Sequence, residues 1–299
     1  MIYDSHSHLM PDLPGHPSIE PEEFLKRIRG IGVEGGSIFS LPPKDWLYPD
    51  GVAPSNEERV AHVLDFCSHL PKSFYPFYWI NPTEPDAVEQ VIYAKEHGIR
   101  GFKVLCSSYY PEQGMAAYVK AAELNLPVHF HSGILWDGQV SGMFNRPLNF
   151  ECLLNVRHLR FALAHMSWPW CDECIALFGK FRNTQNSFGD TAAMYVDCSP
   201  GAPEFDRAEA FRKMALINYG FETRLLWGID NEANHFSPQW GAKILASDRR
   251  TFEKLHVRYS DAAVLEDELC FSLGNRTSVD FRTFFRRATE ENYLEFIGE

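Results

Sequence analysis

The sequence predicts a (β/α)8 barrel with C-terminal helices packed on the barrel. Three observations support this: eight short apolar runs, helix-like stretches between them, and a span of roughly 230 residues for the eight units, which is the size of a closed barrel. Barrels of this type take about 250 residues. The 299-residue chain therefore has room for one domain over residues 1–299, with a helical segment over about 249–299.

The apolar runs are rich in β-branched and aromatic side chains, as strands buried on both faces should be. Each is short enough to be one strand and is followed by turn or helix signals. In chain order the runs cover residues 1–6, 35–41, 74–80, 99–106, 126–131, 159–165, 194–199 and 224–230. Eight such runs match a closed barrel better than an open sheet of five or six strands.

Helices are predicted between the runs from their capping and stop signals. Pro21 lies near the start of the first, Ser55 is a candidate N-cap for the second, and Gly98 ends the third. The predicted helices cover residues 21–30, 55–70, 84–98, 111–124, 169–181 and 205–220. Alternation of strand and helix predicts a parallel sheet. In the tail, leucines at 265, 269 and 273 and phenylalanines at 281, 284 and 285 predict helices packed on the barrel.

Composition narrows the class of protein. No run approaches the eighteen apolar residues that would span a bilayer, and a net charge of -12 without a basic cluster argues against nucleic acid or an anionic membrane as partner. The first residues lack the charged and apolar regions of a secretion signal. Seven cysteines, an odd number, fit a reducing compartment. We therefore expect a cytoplasmic protein with a small-molecule substrate, and a homodimer remains open.

Ionisable residues stand at the carboxyl ends of four predicted strands, where barrel enzymes build their sites. They are His6 and His8 at the end of the first run, His131 at the end of the fifth, His165 at the end of the sixth and Asp230 at the end of the eighth. Side chains two positions apart on a strand point to the same face. His6 and His8 can therefore bind one cation, with His131 supplying a third nitrogen and Asp230 an oxygen.

These donors are suited to Zn²⁺, with Mn²⁺ or Fe²⁺ as competitors, so one divalent metal ion is expected. His129 shares the face of His131 but lies one layer deeper, which favours a supporting or core role. Lys103 in GFKV has several open roles. It can bridge two metals after carboxylation, hold a substrate anion or pair with a neighbouring carboxylate, and bridging is the least favoured of these.

Four motifs together resemble the amidohydrolase superfamily, specifically its amidohydrolase-2 branch. They are DSHSHL, LPVHFHSG, LRFALAHMSWPW and LLWGIDNE, and SLGNRTSVDF near the tail is similar to a closing motif of the family. The branch includes aminocarboxymuconate-semialdehyde decarboxylase as well as lactonases and other hydrolases. The resemblance implies a barrel with one divalent metal held by His6, His8, His131 and Asp230. It also implies that His165 contacts the metal-bound water or the substrate.

Three positions depart from the family pattern: Ser167 where glycine is frequent, Asn231 where an aromatic residue is usual, and Arg276 earlier than usual in the closing motif. All three lie in predicted loops. We therefore expect these departures to change the substrate specificity more than the metal binding.

The predicted function is hydrolysis of an amide, ester or lactone bond in a small molecule, because a divalent cation lowers the pKa of bound water from about 15.7 toward about 7. Asp230 would act as general base and His165 would stabilise the oxyanion or orient the water. The alternative is non-oxidative decarboxylation of an aromatic or muconate-type acid at the same metal. A non-catalytic barrel that keeps its ligands for stability is a third hypothesis.

Aromatic residues are frequent in the predicted loops after the strands, which favours a flat or cyclic substrate. They are Trp46, Tyr48, Tyr109, Tyr110, Trp136, Phe144, Trp168 and Trp170. Arg146 can pair with a substrate carboxylate through its planar guanidinium, or it can form a structural salt bridge. Trp136, Trp168, Arg146 and Lys103 are therefore the candidate substrate-binding residues.

Overall fold

A computed structural model describes residues 1–12, 15, 17–44, 48, 51–217, 219–259 and 281–299. Its strands are β1 (Tyr3–His8), β2 (Gly35–Phe39), β3 (Phe74–Trp79), β4 (Gly101–Val104), β5 (Val128–Phe130), β6 (Arg160–Leu163), β7 (Ala193–Asp197), β8 (Leu225–Leu226) and β9 (Asn231–Glu232). All adjacent strands are parallel, in the order β8-β7-β6-β5-β4-β3-β2-β1-β9. Each predicted run overlaps a strand, and the predicted (β/α)8 barrel is confirmed.

The eighth strand closes the barrel in two pieces. The sequence predicts one strand over 224–230, whereas β8 pairs with β7, and β9 pairs with β1. Between them the chain leaves the ladder, because the buried carboxylate of Asp4 accepts a hydrogen bond from the backbone N–H of Ile229 at 2.8 Å. The Trp227 carbonyl still accepts a hydrogen bond from the Ser5 N–H at 3.0 Å, which completes the closure.

Helices cover the outside of the barrel. They are α1 (Pro21–Gly30), α2 (Asn56–Ser68), α3 (Ala87–Glu96), α4 (Met115–Glu123), α5 (Cys171–Phe188), α6 (Glu204–Leu216), α7 (Pro238–Tyr259), α8 (Phe281–Arg286) and α9 (Asn292–Ile297). The first six overlap the six predicted helices. Ser55 caps α2 with a capping box that includes Glu58, which satisfies backbone N–H groups at the start of that helix.

Of the C-terminal helices, α9 covers the amino-terminal end of the barrel. Helix α7 begins at Pro238, earlier than residue 249, because the Ser237 hydroxyl accepts from the Trp240 N–H at 3.3 Å and caps the first turn. In α9, the Tyr293 ring stacks on Tyr3 at 5.1 Å and its hydroxyl hydrogen-bonds Ser37 at 2.8 Å. This end of the barrel is thereby filled, which leaves the carboxyl ends of the strands as the place for a site.

Some predicted features lie outside the described residues. These are Trp46, the leucines at 265, 269 and 273, and most of the SLGNRTSVDF motif with Arg276. Within the described part of the chain, no helix has the length and apolarity needed to cross a bilayer.

Candidate metal centre

Strand β1 places two imidazoles side by side at the carboxyl end of the barrel. His6 and His8 are two residues apart on one extended strand, so their side chains leave the same face. Their Nε2 atoms lie 3.0 Å apart. The Phe39 ring contacts both imidazoles, with centroid distances of 5.1 Å and 5.0 Å, and limits their rotation.

Asp230 joins the two imidazoles from the loop between β8 and β9. Its Oδ1 lies 3.4 Å from His6 Nε2 and 3.7 Å from His8 Nε2. The backbone of Asp230 has φ 52°, in the left-handed region that few non-glycine residues adopt. Such strain persists where surrounding contacts fix the chain, and here the hydrogen bond from Ile229 N–H to Asp4 fixes the preceding residue.

His165 approaches the centre from the end of β6. Its Nδ1 lies 3.9 Å from Asp230 Oδ2 and 3.1 Å from the Ser199 hydroxyl. His165, Met166 and Ser167 have φ values of 60°, 50° and 57°, three successive residues in the left-handed region. This sharp turn brings the His165 imidazole to the barrel mouth, and strain of this type is concentrated at functional sites.

His131 lies beside His165 and carries an unpaired nitrogen. The two rings are 4.9 Å apart, and His131 is buried. Among the described residues, His131 Nε2 has no hydrogen-bond partner, nor has His8 Nδ1. A buried polar atom without a partner costs free energy of about 1–3 kcal/mol. A ligand that accepts the nitrogen lone pair would remove that cost.

The donor set fits a divalent metal ion. Ligand atoms about 2.0–2.1 Å from one ion are separated by about 3.0–3.4 Å at right or tetrahedral angles. The separations among His6 Nε2, His8 Nε2 and Asp230 Oδ1 are 3.0, 3.4 and 3.7 Å. Donor atoms of His6, His165 and Asp230 also lie within 4.8 Å of one another. Imidazole nitrogens and carboxylate oxygens are ligands that Zn²⁺ accepts.

Asp197, the last residue of β7, supports His6 and was not identified from the sequence. Its Oδ2 accepts hydrogen bonds from His6 Nδ1 at 2.7 Å, His129 Nε2 at 3.0 Å and the Ser199 hydroxyl at 2.7 Å. Its Oδ1 accepts from the Ser199 N–H at 2.7 Å. Asp197 lies two residues before the end of the MYVDCS run, so inspection of the residues at the carboxyl end of the seventh predicted strand would have identified it.

A second group of metal-ligating residue types, His6, His129 and Asp197, lies within the same 4.8 Å limit. Its separations of 2.7 Å and 3.0 Å between nitrogen and oxygen are hydrogen-bond lengths. We therefore interpret this group as a support of the centre. With Nδ1–H donated to Asp197, His6 keeps its Nε2 lone pair for a metal, the usual relation of a carboxylate to a metal-binding histidine.

The electrostatics favour neutral imidazoles. Burial lowers the pKa of His6, His8 and His131 well below 6.5, and it lowers the pKa of His165 to about 4. Burial opposes ionisation of Asp197, but hydrogen bonds from His129 and His6 hold its pKa well below the usual value. Desolvation raises the pKa of Asp230 to about 7.

Lys103 of β4 points into the same centre. Its Nζ lies 3.1 Å from His6 Nε2 and 5.1 Å from the Phe39 ring centroid. The side chain is buried, and burial lowers the pKa of Lys103 to about 8. Lys103 therefore lies beside the candidate metal ligands. This location is compatible with each of the three roles considered for it, which are bridging two metals, binding a substrate anion and pairing with Asp230.

Two predicted substrate-binding tryptophans lie together, and the predicted arginine lies elsewhere. Trp136 and Trp168 stack with centroids 6.2 Å apart at 21°. Arg146 instead forms a salt bridge with Glu173 and lies over the Trp170 ring at 5.3 Å. This is the structural alternative left open by the sequence, and the geometry gives no support for a substrate contact by Arg146.

A parallel barrel with imidazoles and carboxylates gathered at the carboxyl ends of its strands is the architecture of an enzyme. The chain belongs to the amidohydrolase family: a family model described as Amidohydrolase matches residues 3–231. This confirms the resemblance found in the sequence. Among curated proteins, no relative matches the chain.

Three solved structures are similar to this chain over nearly the whole length of both chains. An uncharacterized TIM-barrel protein from Bordetella bronchiseptica has a TM-score of 0.63 at 15% identity, with 100% of this chain and 99% of that chain covered. An amidohydrolase from Burkholderia multivorans with bound HEPES has a TM-score of 0.60 at 10% identity, with 100% and 99% covered. A proposed 2-pyrone-4,6-dicarboxylic acid hydrolase from Pseudomonas putida has a TM-score of 0.55 at 16% identity, with 99% and 97% covered. At these identities the similarity shows the fold alone.

Proposed function

We propose that this protein is a metal-dependent hydrolase that cleaves an amide, ester or lactone bond of a small cyclic, carboxylated molecule. One observation carries the proposal. Two imidazole nitrogens 3.0 Å apart face the Asp230 carboxylate at 3.4 Å and 3.7 Å, at the carboxyl end of a barrel of the amidohydrolase family. The unpaired Nε2 of buried His131 supports the same conclusion.

In this proposal His6, His8, His131 and Asp230 hold one divalent ion, most favourably Zn²⁺. When bound, such an ion polarises a carbonyl and makes a water molecule more acidic. Asp230 is suited to accept and return a proton, because its Oδ2 faces His165 at 3.9 Å while its Oδ1 faces His6. His165, with the Ser199 hydroxyl 3.1 Å from its Nδ1, is positioned to stabilise the substrate oxygen.

A carboxylated ring is the proposed substrate class. The stacked Trp136 and Trp168 offer flat apolar surface near the centre. The similar structure from Pseudomonas putida is named for the hydrolysis of 2-pyrone-4,6-dicarboxylic acid, a cyclic dicarboxylate. A cytoplasmic location and a small-molecule partner are part of the same proposal.

The test is hydrolysis by protein whose metal content is known. Purified protein is treated with a chelator, reloaded with Zn²⁺ or Mn²⁺ and incubated with a panel of lactones and cyclic amides. We expect acid release that is absent after chelation and returns with metal. Carbon dioxide release from a carboxylated ring without any hydrolysis would transfer the assignment to the decarboxylase alternative. Absence of both reactions in metal-loaded protein would favour a non-catalytic barrel.

A further inference from the structure

A cavity of about 390 Å³ opens between the segment after β7 and helix α7. Cavities that bind small molecules measure about 300–1,000 Å³, so this one has room for a single ring compound. Three indoles line it: Trp136, Trp168 and Trp240. We refer to it as the indole cavity.

Two of these tryptophans donate hydrogen bonds to backbone carbonyls at or next to the proposed catalytic residues. The backbone N–H of Trp168 donates to the His165 carbonyl at 3.1 Å. Trp240 donates through Nε1 to the Ile229 carbonyl at 3.2 Å, and Ile229 immediately precedes Asp230. The indole cavity is therefore bordered on two sides by chain that also positions His165 and Asp230.

The backbone of Gly201 forms another wall of the indole cavity and packs directly against His165. A Cβ atom at this position would lie 2.7 Å from the His165 Cβ and 2.8 Å from its Cγ, closer than real Cβ contacts allow. Only glycine permits this approach of the backbone to the imidazole. Gly201 also lines the indole cavity. A molecule in the cavity would therefore be separated from His165 only by the backbone of Gly201.

The charges around the cavity distinguish possible ligands. Arg207 and Asp248 form a buried pair with two contacts of 2.7 Å, so neither charge is free for a ligand. Glu204 accepts a hydrogen bond from the Ser247 hydroxyl at 3.0 Å. Lys243 lies with its Nζ 5.9 Å from the Trp240 ring centroid. It has no carboxylate partner in the described part of the chain.

We infer that the indole cavity binds the ring of a flat carboxylated substrate and that Lys243 pairs with its carboxylate. The ring would lie against Trp168 and Trp240, whose faces attract flat apolar groups. The inference rests on the proposed hydrolase function, which it extends by naming the residues that select the substrate. Lys243 acts here as a specificity residue, because it is one helical turn from Trp240 and contacts no proposed metal ligand.

The test measures binding separately from turnover. Zinc-loaded Asp230→Asn protein, in which no hydrolysis is expected, is titrated by calorimetry with isophthalate, with its neutral analogue isophthalamide and with the cationic analogue 1,3-bis(aminomethyl)benzene. We expect isophthalate to bind best. Adding Lys243→Met should weaken isophthalate about fivefold, the size of one exposed charge pair, and leave isophthalamide unchanged. Adding Trp240→Leu, which removes one of the two indoles proposed to contact the ring, should weaken the binding of both isophthalate and isophthalamide.

The matched control is Lys254→Met, which removes another exposed lysine of α7 that does not line the cavity. It should leave isophthalate binding unchanged. The inference would be overturned if Lys243→Met leaves the affinity for isophthalate unchanged, or if isophthalate binds no more strongly than the neutral or cationic analogue. Either result would overturn it even if lactone hydrolysis is observed. If binding depends on Lys243 but the native, metal-loaded protein hydrolyses none of the lactones and cyclic amides, the result would support the inference about the cavity. It would count only against the proposed hydrolase function.

Discussion

The Oδ2 atom of Asp197 lies 2.7 Å from Nδ1 of His6, and both residues are buried inside the barrel. The carboxylate therefore orients the imidazole and fixes its tautomer, so that Nε2 faces His8 and Asp230. Because β7 and β1 are far apart in sequence, this contact exists only in the closed barrel. It connects the integrity of the fold to the geometry of the candidate metal centre.

The Asp197→Asn variant should bind Zn²⁺ about 10–100-fold more weakly than the native protein, as is typical when a carboxylate behind a metal-binding histidine is lost. Competition with a chromophoric chelator measures the dissociation constant. The matched control is Asp172→Asn, which removes an exposed carboxylate paired with Lys213. Equal zinc affinity in all three proteins would show that Asp197 does not position His6.

The Asp230→Asn variant should remain folded, bind metal more weakly and lose turnover by at least about 100-fold, the usual contribution of a general base. Folding is expected to persist because the Asp230 side chain is 33% exposed and the strained loop is held by the Ile229 N–H to Asp4 bond. Melting temperature, zinc affinity and substrate hydrolysis are measured on the same preparation. Unchanged turnover would exclude Asp230 as the base.

Replacing Lys103 with methionine should strengthen metal binding by at least about tenfold. The Lys103 Nζ lies 3.1 Å from His6 Nε2, and a positive charge this close to a buried divalent cation is repulsive. Metal content per chain and affinity are both measured, with Lys26→Met as the control because its side chain is 80% exposed. A loss of affinity, or two ions per native chain and one in the variant, would instead identify Lys103 as a metal-bridging group.

The metal-free protein should lose stability as the pH falls below about 6.5. Five buried histidines have a lowered pKa in the fold: His6, His8, His129, His131 and His165. The unfolded chain therefore binds protons near pH 6.5 that the folded chain does not. A proton bound only by the unfolded state lowers the free energy of unfolding.

Two carboxyl groups act in the opposite direction. Desolvation by burial raises the pKa of both Asp4 and Asp230 to about 7. The folded protein therefore takes up these two protons at a higher pH than the unfolded chain does, and it gains stability from them as the pH falls. The loss of stability from the five imidazoles is larger than the gain from the two carboxyl groups. We expect the free energy of unfolding, measured with urea, to fall by about 3 kcal/mol from pH 7 to about pH 5.5. The decrease should be smaller in His165→Gln, and a constant stability over this range would contradict the assignment of neutral imidazoles.

Much of the barrel and the positions of His6, His8, His131, His165 and Asp230 at its carboxyl end follow from local patterns. The period of apolar residues, the capping of α2 by Ser55 and the spacing of His6 and His8 are properties of short segments. The division of the eighth strand was not predictable in this way. It depends on the carboxylate of Asp4, more than 200 residues away, accepting a bond from Ile229.

The same distinction applies to the side chains around the centre. Asp197 lies two residues before the end of the predicted strand 194–199 and ends the observed strand β7, so a search of all residues near the strand ends, of the kind that located Asp230, would have found it. The salt bridge of Arg146 with Glu173 joins the segment after β5 to the first turn of α5, and no local pattern distinguishes it from a substrate contact. The indole cavity likewise forms only where the segment after β7 meets α7.

The most direct test of the central claim is anomalous diffraction from crystals of the metal-free protein soaked in Zn²⁺. We predict one strong peak within about 2.0–2.2 Å of Nε2 of His6 and of His8, with His131 and Asp230 completing the ligands. A peak between His6, His129 and Asp197, or no peak at the barrel mouth in zinc-saturated crystals, would contradict the account.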